Sequence, residues 1–505
     1  MSYVQEDLFH LCQIYQYSDI NVKGEWEMIL VRSGVVSGIE GFLIDVEVDV
    51  RPGLPGFEIV GLPSKTVRES RERVRSALRN TGFRFPAQKV IVNLAPAHIP
   101  KDGALFDLPI ALGVLAHQGM VPECVFQDVI FAGELSLSGK IKRISGVLSL
   151  AKLAAQCGCQ LVLPLENRSE AALIGGDHLL LSDSLGHLIR HLTGQAQAPP
   201  LPAHRLEVHS SQARVTIKGQ AQAKRALEIA ALGRHHIMLL GPPGVGKTLL
   251  ATHAHGLLPP LSFEDILTIN KIHEAAGLLH PHSAPLTERP LRAPHHSISQ
   301  AGLIGSKTGR PGEITLAHLG VLLLDEFPEF NQGALQGLRE PLDHKQVQIS
   351  RAGHSLVYPS DFWLIATANP CPCGYLGSSV RLCTCTGRDI NRYRRKLRGP
   401  LLDRFEMFVY LRSLSEQELR EKPSPWPPLR SATKKDGPHS PALSAEADRL
   451  LHQAQERLAL SVRGFASTRQ IARTIARCAG ASHITQAHMA EALQYRFQSQ
   501  PNLLF

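Results

Sequence analysis

Residues 235–256 read HHIMLLGPPGVGKTLLATHAHG: an apolar run, a glycine loop and then a helical pattern. That order confines this part of the chain to a parallel α/β sheet with a phosphate loop at a strand's C-terminal end. The loop is Gly241, Pro242, Pro243, Gly244, Val245, Gly246, Lys247 and Thr248. Its glycines let backbone N–H groups wrap phosphates at a helix N-terminus. Lys247 reaches the outer phosphates and Thr248 offers an oxygen to Mg²⁺, so the expected ligands are ATP and Mg²⁺.

Three further runs carry matching chemistry. GVLLLDEF (320–327) is a continuous apolar strand ending in Asp325 and Glu326, whose carboxylates would emerge at the sheet edge where ligands sit. Asp325 is expected to hold Mg²⁺ through water, and Glu326 to orient or deprotonate the attacking water. FWLIATANP ends a second strand at Asn369, whose amide would position the lytic water. RKLRGPLLDRF places Arg404 after a turn. There it would neutralise transition-state charge at a neighbouring subunit's nucleotide, or form a salt bridge with Asp403.

Length sets the organisation. A chain of 505 residues exceeds one hydrophobic core. Residues 1–27 read as an N-terminal extension and 28–193 as a first α/β domain, with short β-rich runs (FLIDVEVDV, KVIVNLAP, DVIFAGELSL) between helical patterns. Residues 194–211 read as a linker, 212–420 as the phosphate-loop core, 421–442 as a Pro-rich linker and 443–505 as a helical lid. No apolar run reaches the roughly 18 residues of a membrane span. The N-terminus lacks a basic-then-apolar leader, so the expected location is cytoplasmic. The net charge of +9 permits a polyanionic partner.

NPCPCGYLGSSVRLCTC spaces Cys371, Cys373, Cys383 and Cys385 as two C-x-C pairs separated by nine residues. Four thiolates on a compact loop suit tetrahedral Zn²⁺, with a reduced, unliganded cluster as the alternative. C-x-C lacks thioredoxin-like spacing, which argues against a redox pair. Cys157 and Cys159 read as core packing. PHHSISQAGLIGSKTGRPGEI (294–314) flanks Lys307 and Arg310 with glycines, as a mobile loop gripping DNA phosphates would require. RDINRYRRKLRGP (388–400) holds six basic residues. It could bind DNA or line a subunit interface, and its nearness to Arg404 favours the interface. His295 and His296 read as structural.

The phosphate loop, the acidic strand, Asn369 and Arg404 together resemble the AAA+ superfamily. The phrases PHHSISQAGLIG, RPGEITLAHLGVLLLDEFPEF, LREPLDHKQVQISRA, NPCPCGY and GPLLDRFEMFV resemble more specifically the ComM/YifB family of magnesium-chelatase-like AAA+ proteins. That resemblance implies a homo-hexameric ring with Arg404 acting in trans. It also implies an ATPase motor on single-stranded or branched DNA, promoting branch migration as incoming DNA is integrated in natural transformation; a magnesium-chelatase-like motor subunit driving metal insertion and a non-hydrolysing nucleotide-binding scaffold are the alternatives. A lid arginine would sense nucleotide. The local text GFASTRQIARTIARCAG departs from the family's spacing, leaving Arg469 as first choice and Arg473 as alternative. In the first domain, HIPKDGALFDLPIAL and GELSLSGKIKRISGVLSLAKLAAQCGCQLVLPLEN resemble the proteolytic domain of Lon, a ribosomal-S5-like fold. After Pro100-Lys101-Asp102-Gly103, however, the expected serine is replaced by Ala104, Leu105 and Phe106, and the lysine position falls near Leu148. Lys101 and Ser149 stand at the wrong places, so the fold is expected without peptidase chemistry.

Overall fold

The computed structural model describes residues 28–197, 216–279, 285–351, 354–377, 381–397, 399–420, 424–426 and 441–497. The proposed extension (1–27) and most of both linkers lie outside the described residues. The chain divides into two compact units, Met1–Glu207 with His273–Pro285 and Val208–Ile272 with Leu286–Phe505.

The first unit is built on a seven-stranded mixed sheet of β1 (Ile29–Ser37), β2 (Glu40–Arg51), β3 (Gly56–Val60), β4 (Lys89–Ala95), β5 (Val129–Phe131), β6 (Gln160–Pro164) and β7 (Leu179–Ser182). The spatial order is β3-β4-β2-β1-β5-β6-β7. β1 and β2 form a hairpin in register from Ile29↔Val48 to Ser37↔Glu40, while β5, β6 and β7 run parallel. Ile44, Val46, Val48 and Val50 alternate along β2 and all are buried, so its register is fixed by one apolar face. The run DVIFAGELSL yields two short strands rather than one, because pairing breaks between Phe131 and Glu134.

Helices α1 (Lys65–Asn80), α2 (Asp107–His117) and α3 (Val147–Cys157) belong to this unit. Ser64 caps α1 by accepting from the Val67 N–H. Every residue of α2 except His117 is buried, which its uninterrupted apolar sequence demands. Asp107 opens α2 with a fully buried carboxylate, held by Arg73 Nε at 2.6 Å and by the Leu135 N–H at 3.1 Å. Burial pushes this carboxyl above the usual range, while hydrogen bonds from Arg73 and Ser70 oppose the shift.

The second unit holds a five-stranded, all-parallel sheet of β8 (Ile237–Leu240), β9 (Leu291–Arg292), β10 (Val321–Leu324), β11 (Trp363–Ala368) and β12 (Met407–Tyr410), ordered β9-β10-β11-β8-β12. β8, β10 and β11 are buried at every position, as expected for strands covered on both faces. α4 (Ala221–Gly233) precedes β8, α5 (Lys247–His253) follows its loop, and α6 (Gly387–Lys396) lies between β11 and β12. The C-terminal region is α7 (Ala445–Leu458), α8 (Val462–Cys478) and α9 (Gln486–Phe497). α8 begins six residues before the run TRQIARTIARCAG, because Ser461 caps it by accepting from the Gly464 N–H. Leu451, Ile471, Ile475 and Met489 of these helices share one core with Ile237, Leu239 and Ile365 of the sheet. The fold is thus mixed α/β with a parallel phosphate-loop sheet and a helical C-terminal region. No described helix is long and apolar enough to cross a membrane.

Candidate functional site

The site forms where β8, β10 and β11 end together, and parallel pairing accounts for that. Leu240 pairs with Ala368 and Leu324 with Ala366, so the segments following all three strands emerge at one edge. Gly244 and Gly246 adopt left-handed φ values of 80° and 91° with open space where a Cβ would stand, as a loop that wraps a ligand requires.

Lys247 is buried and donates to the carbonyls of Gly241 and Pro242, each at 2.8 Å, and to Asn369 Oδ1 at 3.0 Å. Burial pushes its ammonium down to about 8, against the pull of Asp325 and Glu326. Thr248 Oγ1 lies 3.1 Å from both carboxylate oxygens of Asp325. A hydroxyl and a carboxylate this close form a hard-oxygen pair that fits Mg²⁺. Glu326 is exposed and adopts a left-handed φ of 55°, strained for a residue with a Cβ. Its N–H donates to Thr367 Oγ1 at 3.1 Å, and the same hydroxyl donates to Asp325 Oδ1. Thr367 therefore orients both acids. The sequence reading passed over it, although a lone hydroxyl near the end of the buried run FWLIATA was the available signal. His296, read as structural, lies with Nδ1 3.9 Å from Glu326 Oε2 and stacks on His295 with ring centroids 4.0 Å apart.

Arg404 is not part of this cluster's bonding. It forms a bidentate pair with Asp343 and donates to the Pro400 carbonyl at 2.7 Å. The anticipated partner, Asp403, is replaced by Asp343 because the short helix Arg339–His344 presents that carboxylate to the guanidinium. Arg463, in the first turn of α8, donates to the same carboxylate at 3.0 Å. Both arginines hold the Asp343 carboxyl below its usual range, the Arg404 hydrogen bond most of all. Arg469 is exposed on α8, whereas Arg473 is half-buried with an Nε that has no hydrogen-bond partner among the described residues.

The four cysteines converge. Their Sγ atoms all lie within 4.8 Å of one another, with Cys371–Cys373 at 3.4 Å, Cys371–Cys383 at 3.7 Å and Cys373–Cys383 at 3.6 Å. Tetrahedral Zn²⁺ with Zn–S bonds of about 2.3 Å needs sulfur separations of roughly 3.8 Å, so the cluster fits that ion. Hydrogen bonding from the Tyr375 backbone pulls the Cys373 thiol down to about 5, whereas burial pushes the Cys371 thiol up and the neighbouring thiols push Cys385 up. Gly374 inside this loop has φ 85°, and a Cβ there would lie 2.6 Å from Pro243 Cδ. The cysteine loop thus packs directly on the phosphate loop. Of the other C-x-C pair, Cys159 is buried but Cys157 is exposed, so only Cys159 is core packing.

Lys307 and Arg310 are exposed on an ordered turn. Gly305 bridges Pro311, the Ser306 N–H donates to the Arg310 carbonyl at 3.0 Å, and Tyr358 Oη donates to the Gly309 carbonyl at 2.7 Å. The bidentate Arg292–Glu313 pair, at 2.6 and 2.8 Å, closes the base of this segment. The glycines there serve a tight turn. In the first unit, Ser149 Oγ donates to the Ile39 carbonyl at 2.7 Å and Lys101 Nζ donates to the Pro96 carbonyl. Each polar group is committed to backbone.

Comparison with known proteins finds similarity along most of the chain. Residues 214–419 match the family model "Magnesium chelatase, subunit ChlI", 46–167 match "Subunit ChlI of Mg-chelatase", and 430–496 match "Magnesium chelatase, subunit ChlI C-terminal". The chain is 36% identical to competence protein ComM of Haemophilus influenzae, an alignment covering 93% of this chain and 97% of that protein. It is also 36% identical to YifB of Escherichia coli, covering 92% and 96% respectively. A shorter match, 29% identical over 158 residues, is to Lon protease 2 of Bacillus subtilis and covers 28% of that protein.

Proposed function

This chain belongs to the ComM family of magnesium-chelatase-like AAA+ proteins, and from that premise we propose that it is an ATP-driven DNA translocase that promotes branch migration in the cytoplasm. The observation that carries the reading is the cluster of Lys247, Thr248, Asp325, Glu326 and Asn369 at one sheet edge, around a glycine loop with open space above it. Thr248 and Asp325 would hold Mg²⁺, which when bound polarises the γ-phosphate. Lys247, already pre-positioned by two carbonyls, exchanges them for phosphate oxygens. Glu326 orients the attacking water and accepts its proton, while the Asn369 amide fixes that water's place.

Arg404 completes the site from a neighbouring copy in a hexameric ring, exchanging the Asp343 carboxylate for a phosphate. Arg469 or Arg473 reports nucleotide state to the lid. The exposed Lys307 and Arg310 contact DNA phosphates, an assignment supported by the chain's basic balance and by a relative named a competence protein. The four cysteines hold Zn²⁺ and brace the phosphate loop through Gly374; metal analysis should find about one zinc per chain. The first unit serves as a collar without peptidase chemistry.

Strand exchange on a synthetic three- or four-way junction tests this reading. Wild-type protein should move the branch point only with ATP and Mg²⁺, and Lys247→Ala should abolish movement. Junction processing that survives Lys247→Ala would show that ATP is not the fuel. The family models favour one second reading, a motor subunit for metal insertion, and that reading expects ATP hydrolysis indifferent to DNA.

A further inference from the structure

The run RDINRYRRK, weighed above between an interface and DNA, folds as α6 with two unlike faces. Tyr393 is buried, as is Leu397 just beyond the helix. Arg388, Arg392 and Arg395 are all exposed. Their i, i+4, i+7 spacing puts them in one stripe about 10 Å long. The acid in α6, Asp389, is spent at the helix start, where its carboxylate accepts from Thr386 N at 3.1 Å and from Thr386 Oγ1 in a capping box. Lys396 is paired with Glu329 at 3.5 Å, away from the stripe. The exposed residues of α6 are Gly387, Arg388, Asp389, Asn391, Arg392 and Arg395, none of them large and apolar. Protein interface cores are depleted in charge and enriched in aromatic residues, so this face is poorly suited to become one. It does suit a phosphate backbone: at about 3.4 Å of axis per phosphate on one strand, a 10 Å stripe spans roughly three.

The buried side of the helix leads to the nucleotide cradle. Burial pushes the Tyr393 hydroxyl up, with the neighbouring Asn369 backbone opposing the shift, and the Asn369 side chain accepts from Lys247 at 3.0 Å. The cysteine loop that feeds α6 packs on Pro243 through Gly374.

We propose that the arginine stripe of α6 is a second nucleic-acid contact, gripping the phosphate backbone and reporting its occupancy to the phosphate loop through Tyr393 and Asn369. This rests on the reading of the chain as a DNA motor. Arg388, Arg392 and Arg395 supply sequence-independent attraction, and Tyr393 transmits the resulting shift of α6 to the residue that holds Lys247.

The test uses the full chain with ATP and Mg²⁺, and a DNA junction as probe. Affinity is measured across a salt series. R388Q/R392Q/R395Q should reduce the slope of log affinity against log salt by between about 2 and 3, near 0.9 per lost phosphate contact. Its DNA-free ATPase rate and its assembly state should match wild type. The triple Arg→Lys variant should restore most of the slope. Tyr393→Phe should keep the wild-type slope but lower the ratio of ATPase rates with and without DNA. An unchanged slope in the triple Gln variant would overturn the contact, and loss of assembly would reassign the face to the subunit interface. Undiminished stimulation in Tyr393→Phe would remove the relay. Wild-type protein with no salt-dependent DNA binding would sink the motor reading itself, a result distinct from failure of the stripe alone.

Discussion

The two units solve the same problem, polar groups inside an α/β fold, in opposite ways. In the first, the buried Asp107 and the two residues the sequence singled out, Ser149 and Lys101, are satisfied by fixed protein partners. Asp107 is closed off by Arg73 and a backbone N–H, Ser149 by the Ile39 carbonyl and Lys101 by the Pro96 carbonyl. In the second, Lys247, Thr248, Asp325 and Asn369 bond one another around a loop with open space above it, and Glu326 stands exposed on strained backbone. Groups that only hold a fold together end in closed pairs, whereas the groups proposed to meet a nucleotide stand around open space, Arg404 excepted, which the Asp343 carboxylate holds.

The largest test of this contrast is Glu326→Gln. ATP hydrolysis should fall by roughly 10²–10⁴-fold while nucleotide binding persists, because only the carboxylate proposed to activate water is lost. Single-turnover hydrolysis beside equilibrium nucleotide titration would separate the two. An equal loss of binding would mean that Glu326 supports the fold rather than the chemistry.

Asp107→Ala should do the reverse. Removing one partner of a buried ion pair costs about 3–5 kcal/mol, so the first unit should melt earlier while hydrolysis below that transition is retained. Calorimetry alongside ATPase measurements checks this, and loss of hydrolysis without loss of stability would blur the contrast.

A smaller effect comes from Glu274, in the segment that belongs to the first unit. Its carboxylate accepts from the N–H groups of Gly146, at 2.6 Å, and Val147, yet burial raises its pKa from the ordinary 4.5 to about 7. Because the folded state binds the proton more tightly, stability should fall as pH rises from 4.5 to 7 and then level off. Denaturant midpoints measured across that window should slope downward, and Glu274→Gln should flatten the slope.

Much of the second unit was legible in the sequence, for a physical reason. Phosphate loops and buried parallel strands impose residue types at contiguous positions, so Gly241–Thr248, Asp325, Glu326 and Asn369 could be read directly. What lay hidden depends on contacts between distant segments. Asp343 could not be paired with Arg404 and Arg463 across 61 and 120 residues of sequence. Thr367 gains its role only when β10 and β11 lie side by side. The cysteine spacing implied a cluster, but its seat against Pro243 came from the fold. The Tyr358 hydroxyl that bonds the Gly309 carbonyl, between Lys307 and Arg310, comes from 49 residues further along the chain.

The central claim is that one copy's cradle is completed by the next copy's Arg404. Mixing two inactive chains, Lys247→Ala and Arg404→Ala, in equal amounts tests it most directly. Each should hydrolyse almost no ATP alone. Together they should recover up to about a quarter of the wild-type rate, because randomly mixed neighbours pair an intact cradle with an intact arginine at about one interface in four. A mixture no more active than its separate components would contradict the account.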